Sequence, residues 1–314
     1  MKTRLAALVA VVLASLVLVP ASAWAGDTVG DHLEIASRAE YSGEQVVSCQ
    51  TPDGVKNAVY TLMQKDGKLY VSVEVDATTT VVVGGGSYEV RNADGSVSVT
   101  SVEGAGTVDM GVRYDSQDGA IEQYLGREAV PVDIMQGALR RARMTFDAET
   151  GALLRTQIYN SNGSLYCETR FVKFVPGEPA VAAGGGSTTQ PLAAATDSDL
   201  PKKVAGFSEL DLFTFNKDSV MAYYSDGLFS FTLLHSARSV QVAEIANAPE
   251  VKVGDYKYKR WFGPGQVVYV WDSEVGGLAL LGDLPLDMQE QVLGKLPFPK
   301  KPNVIVRIIQ SLFN

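Results

Sequence analysis

The chain has 314 residues, with 27 Lys and Arg against 36 Asp and Glu, only two His and only two Cys. The acidic balance repels nucleic acid and anionic membrane surfaces, so no nucleic-acid partner is expected. Two histidines exclude a histidine-rich metal centre, and the two cysteines lie too far apart in sequence for zinc-ligand spacing.

Lys2 and Arg4 precede an uncharged run from residue 5 to 19, Pro20 breaks it, and Ala23-Trp24-Ala25 closes it. That is the pattern of a cleavable secretory signal over residues 1–25, and the run is short for a membrane helix, which needs about 20 apolar residues. The expectation is an exported chain of the periplasm or extracytoplasmic envelope, cleaved near Ala25; retention of the segment as an anchor is the alternative. Loss of the segment leaves 25 basic against 36 acidic residues, a net charge of −11.

A helix is predicted next: Asp31 can cap it, and Leu33, Ala36 and Ala39 fall near helical spacing. After Tyr41 short apolar or alternating runs predict strands at 45–51, 57–64, 69–75, 78–83, 140–147, 153–159 and 165–175. Among them lie Asp53-Gly54, Asp66-Gly67, Asp94-Gly95, Asp118-Gly119 and Asn162-Gly163, dipeptides that tolerate the positive φ of a tight hairpin. Repeated signals of this kind argue for a meandering antiparallel sheet. A long twisted sheet with few helices must curl to bury one face, which predicts a half-barrel wrapped on a helix over residues 26–175.

Residues 176–200 change character, with Pro, small residues and Gly184-Gly185-Gly186, and predict a flexible linker that lets two domains reorient. A smaller α+β domain is expected over 201–314. Its predicted strands are 209–215, 220–225, 228–235, 266–271 and 278–281, with Asp226-Gly227 as a hairpin turn. Met288, Val292 and Leu296 share one face of a predicted helix at 287–296, and the apolar tail 303–313 reads as a strand or a short helix. The fold class is thus α+β, mostly antiparallel β.

Catalytic constellations are not found. His235 lies beside Ser236, but no G-x-S-x-G elbow exists. Gly84-Gly85-Gly86 and Gly104-Ala105-Gly106 lack the following Lys and Ser or Thr of a phosphate cradle, and read as loops or bulges. His32 reads as a surface helix position. No cofactor and no enzymatic activity are expected. Cys49 and Cys167 form a disulfide or remain two buried thiols, a choice that spacing leaves open.

The strongest basic cluster is Tyr256-Lys257-Tyr258-Lys259-Arg260-Trp261-Phe262. It is either an edge strand guarded by lysines or an interface anchored by Arg and aromatic residues. Tyr223-Tyr224-Ser225-Asp226-Gly227-Leu228-Phe229-Ser230-Phe231 alternates around a turn, and its aromatic face serves core packing or a partner. The candidate partner contacts are Lys259, Arg260, Trp261, Phe262, Tyr224 and Phe229.

Leu200-Pro201, Gly206-Phe207-Ser208-Glu209 and the segment 224–231 resemble the C-terminal domain of the MucB/RseB family. Gly282-Asp283-Leu284-Pro285 before the short helix is similar to that family's closing strand, turn and helix, and Ala36-Ser37 and 146–151 also look similar. The likeness is specific over 200–231 and 278–296 and diffuse before residue 140. It implies a LolA-like N-terminal domain and a periplasmic negative regulator of an extracytoplasmic sigma factor. Such a regulator binds the exported domain of a transmembrane anti-sigma factor and senses envelope lipid. The long Gly-rich linker and the apolar tail depart from the pattern. The alternative is a lipid or lipoprotein carrier, which would show an open apolar cavity; an enzyme would show a cleft of strongly perturbed titratable groups.

Overall fold

The computed structural model describes residues 28–73, 79–84, 87–91, 97–101, 113–177, 188–189, 193–194, 198–216, 218–237, 248–263 and 265–300. The predicted signal at 1–25, Asp94-Gly95, Gly85-Gly86, Gly104-Ala105-Gly106, most of 176–200 and the tail 303–313 lie outside the described residues. Among the described residues no helix is long and apolar enough to cross a membrane.

In chain order the first elements are α1 (Thr28–Arg38), β1 (Tyr41–Thr51), β2 (Gly54–Lys65), β3 (Lys68–Val73), β4 (Thr79–Gly84), β5 (Ser87–Arg91) and β6 (Val97–Ser101). There follow β7 (Asp115–Asp118), β8 (Glu122–Tyr124), β9 (Arg127–Gln136), β10 (Leu139–Asp147), β11 (Leu153–Tyr159), β12 (Leu165–Pro176) and β13 (Thr188–Thr189). These strands form one sheet in the order β13-β6-β5-β4-β3-β2-β1-β12-β11-β10-β9-β7, with β8 also on β9. It is antiparallel except for the β13–β6 contact. The pairing of β1 with both β2 and β12 joins an early meander to a late one. The sheet stays open, because its ends, β13 and β7, do not meet.

Helix α1 spans both meanders. It buries Val29 and Ala36. The Gln64 amide of β2 donates to the Ala36 carbonyl at 2.7 Å, and Val29 N–H donates to Ser116 Oγ of β7 at 3.2 Å. His32 stacks on Phe146 of β10, centroids 4.9 Å apart. The helix starts ahead of Asp31, which sits in its first turn rather than at the cap. A curled sheet on a helix is therefore the observed arrangement of the first part.

Predicted strands on either side of the centre agree with the fold, while β9 is a strand the pattern did not reveal. Pro131 in its middle argues against a central strand. Its neighbour changes at that point, from β8 opposite residues 127–129 to β7 opposite 132–135. Gly119 N–H donates to the Pro131 carbonyl in the gap, at 2.7 Å. Asp118-Gly119 is thus no two-residue hairpin, since β7 pairs with β9. Asp66-Gly67 is one: φ is 50° and 68° at the two residues that join β2 to β3.

The second sheet contains β14 (Ala193–Ala194), β15 (Lys203–Val204), β16 (Phe207–Asn216), β17 (Ser219–Ser225), β18 (Ser230–Ser236), β19 (Glu250–Val253), β20 (Tyr256–Gly263), β21 (Gln266–Ser273) and β22 (Gly276–Gly282), and α2 (Leu286–Leu293) follows. Its order is β14-β16-β17-β18-β22-β21-β20-β19, with β15 on β16. Met288, Val292 and Leu296 are buried, although Leu296 lies past the end of α2.

One apolar cluster runs through both sheets. Val132, Ile134, Met144 and Phe146 of the first pack in the same body as Phe207, Phe229, Phe231 and Leu280 of the second. Full burial of each large side chain contributes about 1.5–3 kcal/mol. A linker that lets the two parts reorient freely was expected; the shared core opposes that freedom, because reorientation would expose these side chains to water.

Cys49 of β1 and Cys167 of β12 face each other in register and are joined by a disulfide. The bridge spans 118 residues and crosslinks the two meanders at their shared seam. Loop entropy alone assigns a closure of that length about 4–5 kcal/mol. Thiol titration of the denatured, unreduced protein is expected to find no reactive cysteine; two reactive thiols would refute the bridge.

Candidate partner surface and the junction behind it

Strand β20 alternates, and the alternation sorts the aromatic-basic cluster by face. Lys257, Lys259 and Trp261 point outward and are exposed; Tyr258 and Phe262 point inward, at 2% and 4% exposure. The strand is not an edge. β19, too short to stand out in the sequence, lies beyond it and sets Lys252 opposite Lys257 and Glu250 opposite Lys259. Lys257 also holds Glu250 at 3.0 Å.

Trp261 lies opposite Val268 of β21, with 38% of its surface exposed. Gly263 gives it room: a Cβ there would fall 2.5 Å from Trp261 Cη2. The indole therefore rests on the strand and leaves one side to solvent. Together Lys252, Lys257, Lys259 and Trp261 form a basic stripe with one aromatic anchor on an acidic body.

Arg260 serves a different end. It is mostly buried, its guanidinium lies 4.6 Å from the Phe262 ring centroid, and it pairs with Asp53 of the β1–β2 turn at 3.6 Å. Five residues on, Gly265 N–H donates to Cys49 Sγ at 3.1 Å. The β20–β21 turn is thus seated on the first sheet beside the disulfide.

The hairpin candidates prove to be core. Tyr224 has no exposed surface, stacks on Phe231 at 4.8 Å and donates its hydroxyl to the Pro201 carbonyl at 2.8 Å. Phe229 is 1% exposed. Neither is available to a partner, and Phe262 is not either. Of the six expected contacts only Lys259 and Trp261 face outward, with Arg260 behind them as a tie between the sheets.

Asp226 explains why the hairpin turns inward. Its connection is a four-residue loop between the paired Ser225 and Ser230, not a two-residue turn. Asp226 Oδ1 accepts the Leu228 and Phe229 N–H groups at 3.1 and 2.9 Å. Oδ2 accepts the Tyr114 hydroxyl at 2.6 Å and lies 2.9 Å from Arg113 Nη1, both from the segment before β7. The guanidinium of Arg113 lies against Gly206, where a Cβ would come within 2.6 Å of Arg113 Nη1 and where φ is +93°. Burial raises the Asp226 pKa, and Tyr114, the two amides and Arg113 oppose that rise.

A second tie involves Arg141. A bulge between Arg140 and Ala142 leaves Arg141 without a partner on β9. Bulges re-aim side chains, and this one is 1% exposed, 3.2 Å from Asp287 of α2 and 5.5 Å from the Phe229 centroid. Gln289 of α2 completes the junction, accepting from Tyr269 at 2.8 Å and donating to Tyr166 of β12 at 3.5 Å. Arg113, Tyr114 and Arg141 carried no sequence signal, because their partners lie more than a hundred residues away. Among the described residues there is no group of three or more His, Cys, Asp or Glu that could hold a metal ion.

No family model matches the chain, and no curated protein matches it. Solved structures do. A crystal structure of MucB in complex with MucA(peri) is 19% identical, with a TM-score of 0.52 over 87% of this chain and 98% of that one. The Pseudomonas aeruginosa MucA/MucB complex gives 18%, 0.52, 87% and 99%. MucB alone gives 19%, 0.52, 88% and 100%. At this identity the likeness speaks for the fold, and it spans both sheets: the chain has the fold of MucB.

Proposed function

We propose that the chain is an exported negative regulator of an extracytoplasmic-function sigma factor, a binding protein and not an enzyme, that holds the exported part of a transmembrane anti-sigma factor. The observation that carries the reading is the pairing of both sheets in one MucB-like body over 87% of the chain. MucB itself has been solved in complex with MucA(peri). The resemblance of residues 200–231 and 278–296 to the MucB/RseB family supports the same reading. A simple carrier of lipid or lipoprotein needs only a curled sheet on a helix, and would have no use for the second sheet and its junction.

On this reading the stripe of Lys252, Lys257, Lys259 and Trp261 is the contact surface. An aromatic side chain half laid on its own strand can complete its burial against a partner at little entropic cost, and the lysines supply steering and register. The domain division at 1–25, 26–175, 176–200 and 201–314 belongs to the same proposal, with the linker as a covalent tether between parts already held by the junction.

The test is titration calorimetry of the mature chain with the exported domain of each single-pass anti-sigma factor from the same organism. Binding is expected with one of them, and Trp261→Ala should weaken it by about 1–3 kcal/mol while leaving the fold intact. Lys259→Ala should chiefly slow association and reduce its salt dependence. Full affinity in folded Trp261→Ala would move the contact surface elsewhere. No binding by any such domain, with lipid bound instead, would replace the regulator with the carrier.

A further inference from the structure

Among the described residues the second sheet ends at β19, which pairs with β20 on one side only. Its backbone can be assigned side by side. Arg260 N–H donates to the Pro249 carbonyl at 3.2 Å, so Pro249 bonds toward β20. In an antiparallel pair, residues that bond across alternate with residues that do not. Val251 and Val253 therefore also bond toward β20, and Glu250 and Lys252 aim their N–H and C=O groups at the open edge. Side chains alternate as well. Pro249, Glu250 and Lys252 are exposed, whereas Val251 and Val253 are half-buried and pack against the main apolar cluster.

We propose that this edge pairs with β19 of a second copy of the chain, antiparallel about a twofold axis normal to the sheet and centred on Val251. In that register Glu250 and Lys252 of the second copy exchange main-chain hydrogen bonds with Lys252 and Glu250 of the first. The same residues meet as two opposite-charge pairs on the outer face. On the inner face Val251 meets Val251, and each Val253 meets the Pro249 ring of the other copy. The missing N–H of Pro249 costs nothing, because it would have faced β20.

The charges select this register. A shift of two residues in one direction sets Lys252 against Lys252, and in the other Glu250 against Glu250. Like charges directly opposite are destabilising, whereas opposite charges stabilise the pair. A lysine on an edge strand ordinarily blocks sheet addition. Here Glu250, two residues earlier on the same face, turns that block into a match for a second copy. The contact is isologous, as a twofold dimer requires. It is small, in the class below about 1,200 Å², so association is reversible and rises with concentration. The axis sets Lys257, Lys259 and Trp261 of both copies on one outer face, and the dimer thus offers two basic stripes side by side. This inference does not depend on the regulator reading.

Sedimentation velocity of the mature chain over a wide range of concentration tests it. A monomer–dimer equilibrium is expected. Glu250→Lys and Lys252→Glu change exposed side chains and replace both attractive pairs by repulsive ones, so each should weaken dimerisation by at least about tenfold. An equimolar mixture of the two variants should dimerise again, because the two lysines of one then face the two glutamates of the other. Hydrogen exchange should show the Glu250 and Lys252 amides gaining protection with concentration, while Val251 and Val253 are protected throughout. A native chain that stays monomeric, dimers that survive in either variant, or a mixture that remains monomeric would each overturn the proposal. So would dimers in which the Glu250 and Lys252 amides stay unprotected. Protection of those amides that appears only when an anti-sigma domain is added would assign the edge to that partner and overturn it too.

Discussion

Asp226 has a side chain with no exposed surface, set where two sheets meet, and its neighbours are arranged around the need to keep it satisfied. A buried carboxylate without partners is costly, and removal of one member of a buried pair typically costs about 3–5 kcal/mol. The chain answers with three hydrogen-bond donors and one cation from two directions. Two amides come from its own loop, which is why that loop has four residues and why Leu228 and Phe229 turn inward. A hydroxyl and a guanidinium come from the segment before β7, which fixes the first sheet against the second. The bulge that aims Arg141 at Asp287 repeats the device nearby.

A body held in this way presents a fixed outer surface. The inward residues of β20 anchor the strand, with Arg260 reaching back to Asp53, so the outward ones, Lys257, Lys259 and Trp261, keep their spacing. The disulfide lies directly under the adjoining turn and stiffens the seam on which that turn rests. Binding through a small aromatic-basic stripe gains from such rigidity, since less side-chain freedom is lost on contact.

Much of the fold was legible because period-two alternation and Asp-Gly or Asn-Gly turns are local signals. They located β1 to β4, β10 to β12 and most of the second sheet. β9 stayed hidden because Pro131 mimics a strand breaker and only the change of partner from β8 to β7 makes it tolerable. β19 was too short to show a pattern. The stripe was half legible: the cluster at 256–262 was visible as composition, but only strand pairing decides which residues face out. Tyr224 and Phe229 were misplaced because alternation around a turn looks the same whether its aromatic face meets a partner or another sheet. The junction was not legible at all, since Tyr114 and Asp226 are 112 residues apart.

The central claim is that the two sheets act as one body. Differential scanning calorimetry of the mature, disulfide-bonded chain tests it most directly. Coupling through a shared core and buried ties predicts a single transition whose calorimetric and van't Hoff enthalpies agree. Two resolved transitions, each belonging to one sheet and unaffected by replacement of Asp226, would contradict it.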